Sequence, residues 1–373
     1  MTPLGREIAT MIAEDGPMSV ERFMTLAAMH PEYGYYRSRL PIGAHGDFVT
    51  APEIHQMFGE LIGLWAAEVW RAMGEPDLVR LVELGPGRGT LMADFLRAAR
   101  TAPAFRAALD VHLVEMSEPL AEEQRRTLAS AEAPIIWHET VESLPQGPTI
   151  IIANEFFDAL PVRHYMRVEA GWCERLVGIN SDGEFCFGLA PAPKAEFVAP
   201  VAAETALPLG TIVELGLVAQ RMMGRLAGHI AAENGALLVI DYGHARTRPG
   251  ATLQAVRGHR QTDPLRDPGK ADLTAHVDFA ALARAAEAAG ASTFGPVTQG
   301  TFLARLGLFQ RAAILKRTAD AAQCAAIDLA LARLALPGPA SGPDASMAEL
   351  FKVLAVTSPD LGTPPGFMGA AAQ

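Results

Sequence analysis

The middle of the chain alternates between short apolar runs and stretches in which apolar residues recur every three or four positions. The apolar runs that predict buried strands are Leu78–Leu84, Val111–Glu115, Ile135–His138, Thr149–Ala153 and Ala236–Ile240. Helical spacing follows the first run, from Leu91 to Leu96. Such alternation is typical of a parallel sheet with helical crossovers. The pattern therefore predicts an α/β fold whose strands end at one common edge.

Both flanks of this core, and one internal stretch, have a different pattern. Residues 1–30 have helical spacing, and Ser19 is a candidate N-cap. Residues 53–73 predict a long amphipathic helix. Residues 162–235 contain strand-like runs separated by turn residues, which predicts an antiparallel insertion after the fourth strand. We accordingly divide the chain into a helical amino-terminal extension that covers the cofactor pocket, a core and a carboxyl-terminal segment. The boundaries are 1–75, 76–336 with the insertion at about 162–235, and 337–373.

Two further stretches carry weaker signals. The polar stretch from Asp241 to about Asp272 mixes arginines, prolines and acids, and predicts a mobile lid. The segment 337–346 is rich in Pro, Gly and Ser, and we expect the tail after Phe351 to be only partly ordered.

Composition and charge exclude several functional classes. The 373 residues carry a formal net charge of −11 and no block of Lys or Arg, which disfavours a nucleic-acid partner. No apolar run reaches the length of a membrane span, so no membrane insertion is expected. The three cysteines lie far apart without metal-ligand spacing, so no metal is expected. Acidic residues near the start argue against signal and transit peptides.

Three alternating glycines, Gly85, Gly87 and Gly89, follow the first core strand and precede a helix. Such a turn lets bare backbone approach a ligand at the start of the helix. Their spacing is GxGxG, whereas nicotinamide and flavin sites use GxGxxG. An oxidoreductase is therefore disfavoured. The motif favours S-adenosylmethionine, which has no pyrophosphate to bind.

Polar residues stand at four strand ends. Glu83 lies just before the glycine turn, where a carboxylate can hold an amino group. Glu115 ends the second strand, where an acid can accept both ribose hydroxyls. Asn154–Asp158 and Asp241–His244 follow two later strands. Any one of these could be a local cap or a solvated residue. Together they predict a ligand site at the edge of the sheet.

Several phrases outside the glycine turn resemble the MidA-like family of class I S-adenosylmethionine-dependent methyltransferases. They are His30–Tyr36, Gly46–Glu53, Phe58–Glu60, Asn154–Val162, Asp272–Phe279 and Thr298–Gly300. The resemblance runs from about residue 5 to 357 and implies a Rossmann-like fold with a mostly parallel seven-stranded sheet. Mitochondrial members of the family are assembly factors for respiratory complex I and are described as protein arginine methyltransferases.

The resemblance also implies roles for individual residues. The three glycines would pass under the methionine part of S-adenosyl-L-methionine, with Glu83 near its amine and Glu115 at its ribose. Asn154 would lie near the sulfonium. Asp47 belongs to a phrase that would fold over the cofactor pocket, although a turn residue beside Gly46 is the alternative.

An arginine acceptor would need its guanidinium charge held while one nitrogen attacks the methyl group. Glu155 and Asp158 could grip the guanidinium in bidentate fashion. The alternative for Asp158 is a helix cap. His276 could orient the acceptor or a carboxylate, or it could be structural.

We therefore expect a methyltransferase that acts on an arginine of a protein substrate such as a respiratory complex I subunit. A catalytically silent assembly or binding factor with the same fold is the alternative. The residues alone leave open a lysine, a carboxylate or a small molecule as acceptor, and they leave the oligomeric state open. The expected compartment is the bacterial cytoplasm, or the mitochondrial matrix for a processed eukaryotic member.

Overall fold

The computed structural model describes residues 1–38, 50–191, 207–339 and 346–367. The α-helices are α1 Pro3–Asp15, α2 Val20–Met29, α3 Tyr35–Ser38, α4 Ala51–Ile54, α5 Met57–Ala72, α6 Thr90–Ala99, α7 Pro103–Ala108, α8 Glu118–Thr127, α9 Leu217–Glu233, α10 Phe279–Ala288, α11 Gln299–Arg305, α12 Leu308–Lys316 and α13 Ala321–Ala335. The strands are β1 Met18–Ser19, β2 Val79–Leu84, β3 Leu109–Val114, β4 Ile135–His138, β5 Thr149–Asn154, β6 Arg163–Val168, β7 Gly171–Ile179, β8 Phe185–Leu189, β9 Ile212–Leu215, β10 Gly235–His244, β11 Gln254–Arg257, β12 Arg260–Thr262, β13 Asp272–Thr274, β14 Val277–Asp278, β15 Ser292–Thr298 and β16 Phe351–Thr357.

The chain divides into two compact units. Unit 1 comprises Met1–Phe48, Asp158–Arg221 and Arg246–Asp278. Unit 2 comprises Val49–Phe157, Met222–Ala245 and Phe279–Gln373. Both units are therefore built from separate stretches of chain. The sequence-based assignment of 1–75 as a cover for the cofactor pocket stays a prediction.

Unit 2 is built on the main sheet, in which seven strands follow the order β15-β16-β10-β5-β2-β3-β4. Strands β4, β3, β2, β5 and β10 are mutually parallel. Strand β16 runs antiparallel to both of its neighbours. With β14, a further two-residue strand off this path that pairs with β10, the sheet has eight strands among the described residues and is mixed. The prediction of a mostly parallel seven-stranded sheet was thus correct for the parallel core and wrong for the number of strands. The number was wrong because a strand of two residues leaves no pattern in the sequence.

The five predicted core strands are confirmed within a few residues. The side chains of β2, β3, β5 and β10 are mostly buried on both faces, as crossover helices require, whereas the edge strand β4 is only partly buried. One face packs against α5 and α6 in the largest hydrophobic cluster, which includes Phe58, Trp65 and Phe95. The expectation of a partly ordered tail after Phe351 was wrong for Phe351–Thr357, which forms β16 inside the sheet, and six of its seven residues are buried.

Unit 1 contains residues 162–221 of the stretch predicted as an insertion, and the remainder of that stretch belongs to unit 2. Strands β6, β7, β8 and β9 pair antiparallel, and β1 adds to the edge of β7. Ser19 caps α2, since its hydroxyl accepts the Arg22 N–H at 3.1 Å. The polar stretch predicted as a lid instead holds a three-stranded sheet of β12, β11 and β13. Apolar side chains of α1 and α2 and of that stretch share one core.

Candidate functional site

The strand order of unit 2 changes direction between β2 and β5, because β3 and β4 extend from one side of β2 while β10 extends from the far side of β5. Ligands of open α/β sheets bind at such a switch point, outside the carboxyl ends of the strands. The glycine turn leaves β2 there, and Asn154 ends β5 there. The topology therefore brings these two predicted elements to one edge.

The three glycines of the turn all adopt the left-handed region that side chains disfavour. Their φ values are +60° at Gly85, +56° at Gly87 and +82° at Gly89. The Gly85 N–H donates to the Val114 carbonyl at 3.0 Å, which ties the turn to β3. Gly89 is the N-cap of α6 and offers no side chain, so the first turn of the helix presents bare N–H groups.

Glu83 lies at the end of β2 with only 3% of its surface exposed. Burial raises the pKa of its carboxyl to about 8. Within the described residues its Oε2 atom has no hydrogen-bond partner. A buried, unsatisfied carboxyl oxygen is costly in an isolated protein, and it is the kind of group that a cationic ligand satisfies.

Glu115 follows β3, where its N–H donates to the His138 carbonyl at 2.8 Å. Its carboxylate accepts the Ser117 N–H at 2.8 Å and the Gln124 side-chain amide at 3.1 Å. Burial nonetheless raises its pKa to about 7, against the lowering effect of these hydrogen bonds. Gln124 also donates to the Gly87 carbonyl at 2.8 Å, so one side chain joins the glycine turn to Glu115.

Sequence reasoning missed Gln124. It lies in α8 among charged residues, and nothing in a motif marks it. A signal was present, since Gln124 stands four residues from both Leu120 and Leu128, on the apolar face of the helix. A polar residue at such a position must find partners inside the protein.

Asn154 and Glu155 lie together at the end of β5. The Asn154 amide donates to Glu155 Oε1 at 3.2 Å, while Asn154 Oδ1 is buried without a partner among the described residues. Glu155 has a left-handed backbone, with φ at +50°, which is unusual outside glycine and concentrates at functional sites. Its Oε1 atom also accepts the Ala51 N–H at 3.1 Å. Glu155 thus anchors the first turn of α4.

The described part of the phrase Gly46–Glu53 lies against the glycine turn. Glu53 accepts the Thr90 hydroxyl and pairs with Arg88 at 3.5 Å. Arg88 also pairs with Glu123 of α8 at 3.3 Å. The predicted site residue Asp47 lies outside the described residues.

Asp158 and His276 belong to unit 1. The Asp158 carbonyl accepts the Ala275 N–H at 3.0 Å, so the backbone beside His276 is joined to Asp158. The His276 N–H donates to the Thr252 hydroxyl at 2.7 Å. No helix follows Asp158, because its turn leads into β6, and the alternative that Asp158 caps a helix is wrong.

Tyr36 is a further polar side chain of unit 1, beyond the residues predicted from the sequence as site residues. Its hydroxyl donates to Asp272, which is 3% exposed. Burial, followed by the charges of Asp272 and Asp158, raises the pKa of Tyr36 well above its usual value. Two buried carboxyls therefore lie near one phenol.

Within the described residues no helix has the length and apolar character needed to cross a membrane. In the same ranges no cluster of three or more His, Cys, Asp or Glu side chains has the arrangement of a metal site.

A mixed α/β sheet of this order, with a left-handed glycine turn and acids at its switch point, defines a Rossmann-like class I methyltransferase. Residues 61–297 match the family described as "Putative S-adenosyl-L-methionine-dependent methyltransferase". The chain belongs to this family and is a methyltransferase that uses S-adenosylmethionine.

Relatives cover most of the chain. It is 36% identical to "Protein arginine methyltransferase NDUFAF7, mitochondrial" of Danio rerio over 84% of this chain and 79% of the relative. The Homo sapiens protein of that name is 36% identical over 84% and 76%. A crystal structure from Burkholderia thailandensis, bound to S-adenosyl-homocysteine, superimposes with a TM-score of 0.83 at 30% identity, covering 98% and 93%.

The residues at the switch point fit this cofactor. The buried oxygens of Glu83 and Asn154 that lack partners among the described residues are acceptors for polar groups of a ligand. The glycine turn carries no side chains and adopts left-handed backbone conformations, so its backbone can approach a ligand closely. The Glu115 carboxylate is an acceptor suited to ribose hydroxyls.

Proposed function

We propose that the protein transfers a methyl group to an arginine of a protein substrate, such as a subunit of respiratory complex I. The names of the NDUFAF7 relatives support a protein arginine acceptor. The observation that carries the cofactor half of the proposal is a pair of acids on either side of the left-handed glycine turn, Glu83 and Glu115, whose pKa values are both raised by removal from solvent.

In this proposal, Glu83 holds the cofactor amine and Glu115 accepts the two ribose hydroxyls. Gly85, Gly87 and Gly89 lie along the methionine part, and Asn154 lies near the sulfonium. S-adenosylmethionine supplies a methyl group already activated by the positive sulfur. The chain has to align the acceptor, hold its charge and exclude water.

We assign the acceptor role to Glu155, Asp158 and His276, and we keep Asp47 as a candidate for cofactor binding. A guanidinium is cationic and offers five N–H donors, so carboxylates recognise it in bidentate fashion. Asp158 and Asp272 are both buried and both act on the Tyr36 phenol, and two carboxyls in this part of unit 1 fit a cationic acceptor. Glu155 already accepts the Ala51 N–H, so holding α4 is part of its role.

The first test separates cofactor binding from transfer. We expect S-adenosylhomocysteine to bind the wild-type protein in calorimetry and Glu115→Gln to weaken binding by about tenfold or more, because a carboxylate hydrogen bond is lost. Asp158→Asn should retain binding and lose transfer, while the exposed Asp182→Asn should behave like the wild type.

The second test addresses the acceptor. Labelled methyl transfer to a cell extract, followed by mass spectrometry, should locate a gain of about 14 Da on arginine. If the protein does not bind the cofactor at millimolar cofactor concentration, the proposal is refuted. Binding without any transfer would instead favour the silent assembly factor, and label on lysine or on a small molecule would correct the acceptor.

The compartment is part of the proposal. The relatives' names place those proteins in mitochondria. We propose the bacterial cytoplasm for this chain, or the mitochondrial matrix if it is a processed eukaryotic member, and fractionation of the source cells tests this.

A further inference from the structure

The side-chain amide of Gln124 is fully buried, and each of its polar atoms has a partner. Its nitrogen donates one hydrogen bond to the Gly87 carbonyl at 2.8 Å and another to Glu115 Oε2 at 3.1 Å. Its oxygen accepts the indole N–H of Trp137 at 3.0 Å. The backbone of Gln124 packs closely as well, since a Cβ atom at Gly89 would stand 3.5 Å from Gln124 Cα.

Trp137 determines which way the amide points. An indole nitrogen only donates, so the Gln124 oxygen must face Trp137 and its NH₂ group must face Gly87 and Glu115. The reverse orientation would place an amide N–H against the indole N–H and the amide oxygen against the Gly87 carbonyl. Each would leave a buried polar group unsatisfied. The three partners thus allow one orientation.

We propose that Gln124 is a positioning residue for the cofactor. Its amide fixes the glycine turn and the Glu115 carboxylate relative to each other, and Trp137 orients the amide. The inference rests on the proposed role of Glu115 at the ribose. Gln124 touches the turn at Gly87 and the acid at Glu115, which lie at the methionine and ribose ends of the proposed site. A shift of α8 would therefore displace both ends together.

This arrangement has a consequence that packing alone would not produce. Donation by Gln124 favours the ionised form of Glu115, the form that can accept two hydroxyls. Burial already raises the pKa of Glu115 to about 7, and loss of the Gln124 donor raises it further. Cofactor affinity should then require a higher pH.

The experiment compares three variants by calorimetry with S-adenosylhomocysteine from pH 6 to pH 9. Gln124→Leu removes the amide, and Trp137→Phe leaves the amide in place but removes the donor that orients it. Gln299→Leu is the matched control, because Gln299 is also fully buried and donates to the Leu334 carbonyl. Thermal unfolding of each variant reports its folded state.

We expect Gln124→Leu to bind about tenfold more weakly at pH 7, with the midpoint of its pH profile moved upward. Trp137→Phe should also weaken binding and raise the pH midpoint, but by smaller amounts than Gln124→Leu. Gln299→Leu should match the wild type in both affinity and pH midpoint. Glu83 titrates in every variant, so only differences between their profiles are assigned to Gln124. The 2′,3′-dideoxy analogue of S-adenosylhomocysteine should lose less affinity in Gln124→Leu than the parent ligand does.

Three results would overturn the inference. One is an unchanged pH midpoint in both Gln124→Leu and Trp137→Phe, and another is an equal loss of affinity for the two ligands. The third is an equal effect of Gln299→Leu. If Gln124→Leu does not fold, Trp137→Phe alone decides by the same criteria. If the wild-type protein binds neither ligand, the proposed function itself is wrong. This result distinguishes a failure of the proposed function from a failure of the positioning role of Gln124.

Discussion

Replacing Glu83 by glutamine should make the ligand-free protein more stable at alkaline pH. Glu83 is 3% exposed, and burial raises its pKa from 4.5 to about 8. The folded protein therefore holds the proton that the unfolded chain has already lost. Under this condition the free energy of unfolding falls as pH rises from about 4.5, and it levels off above about 8. Glutamine has nearly the same shape as the protonated acid and carries no such penalty.

The magnitude follows from the pKa. A rise from 4.5 to about 8 corresponds to roughly 5 kcal/mol in total, at about 1.4 kcal/mol per pH unit. Between pH 6 and pH 8 the wild-type protein should therefore lose roughly 2–3 kcal/mol of unfolding free energy relative to Glu83→Gln. Changes in other groups are shared by both proteins and cancel in the comparison.

Urea denaturation at pH 6, 7 and 8 without ligand measures this difference, and the exposed Glu184→Gln serves as the control. If the difference in unfolding free energy between the wild type and Glu83→Gln stays constant from pH 6 to pH 8, Glu83 ionises like a solvated acid. The argument from burial would then be wrong. Added S-adenosylhomocysteine should reverse the order, because it should stabilise only the protein that keeps the carboxylate.

Three further predictions follow from the same site. Binding of S-adenosylhomocysteine at pH 7.5 should release at least about half a proton, because a cationic amine favours the ionised form of a buried acid; calorimetry in two buffers of different ionisation enthalpy measures this, and the absence of release contradicts it. Gly85→Ala should weaken binding about tenfold or more, because its Cβ would stand 3.2 Å from the Phe156 ring in a left-handed turn; Gly183→Ala, also left-handed but with open space, should bind normally. Asp241→Asn should destabilise the protein by about 2–3 kcal/mol, because the fully buried Asp241 accepts two backbone N–H groups with its two oxygens; a melting temperature within 1 °C or so of the wild type would contradict it.

The parallel core was predictable because most of its strands are buried on both faces and are therefore rich in apolar residues. Thr149–Asn154, for example, begins where the apolar run begins. Strand β16 was missed although its residues Phe351–Thr357 are as apolar, because it follows a Pro/Gly-rich stretch and pairs with β10 far back in the sequence. No local feature of the sequence distinguishes such a strand from a partly ordered tail.

Some residues of the candidate site could likewise be predicted from the sequence, and others could not. Glu83 and the three glycines lie within one short stretch, so a motif could indicate them. Gln124 could not be predicted in that way, because it lies in helix α8 and its role depends on Gly87, which lies 37 residues earlier, and on Trp137 of strand β4. The association of Asp158 and Asp272 with Tyr36 could not be predicted either, because the three residues lie far apart in sequence.

The position of β16 constrains the order in which the protein can fold during synthesis. Ala236 of β10 pairs with Thr357, which is translated 121 residues later. At about 5–20 residues per second, β10 waits roughly 6 to 24 seconds on the ribosome with one edge unpaired. Strand β15 waits too, since β16 lies between them. Nascent chains paused in this interval present two exposed apolar strand edges, and they are the species that chaperones must protect from aggregation.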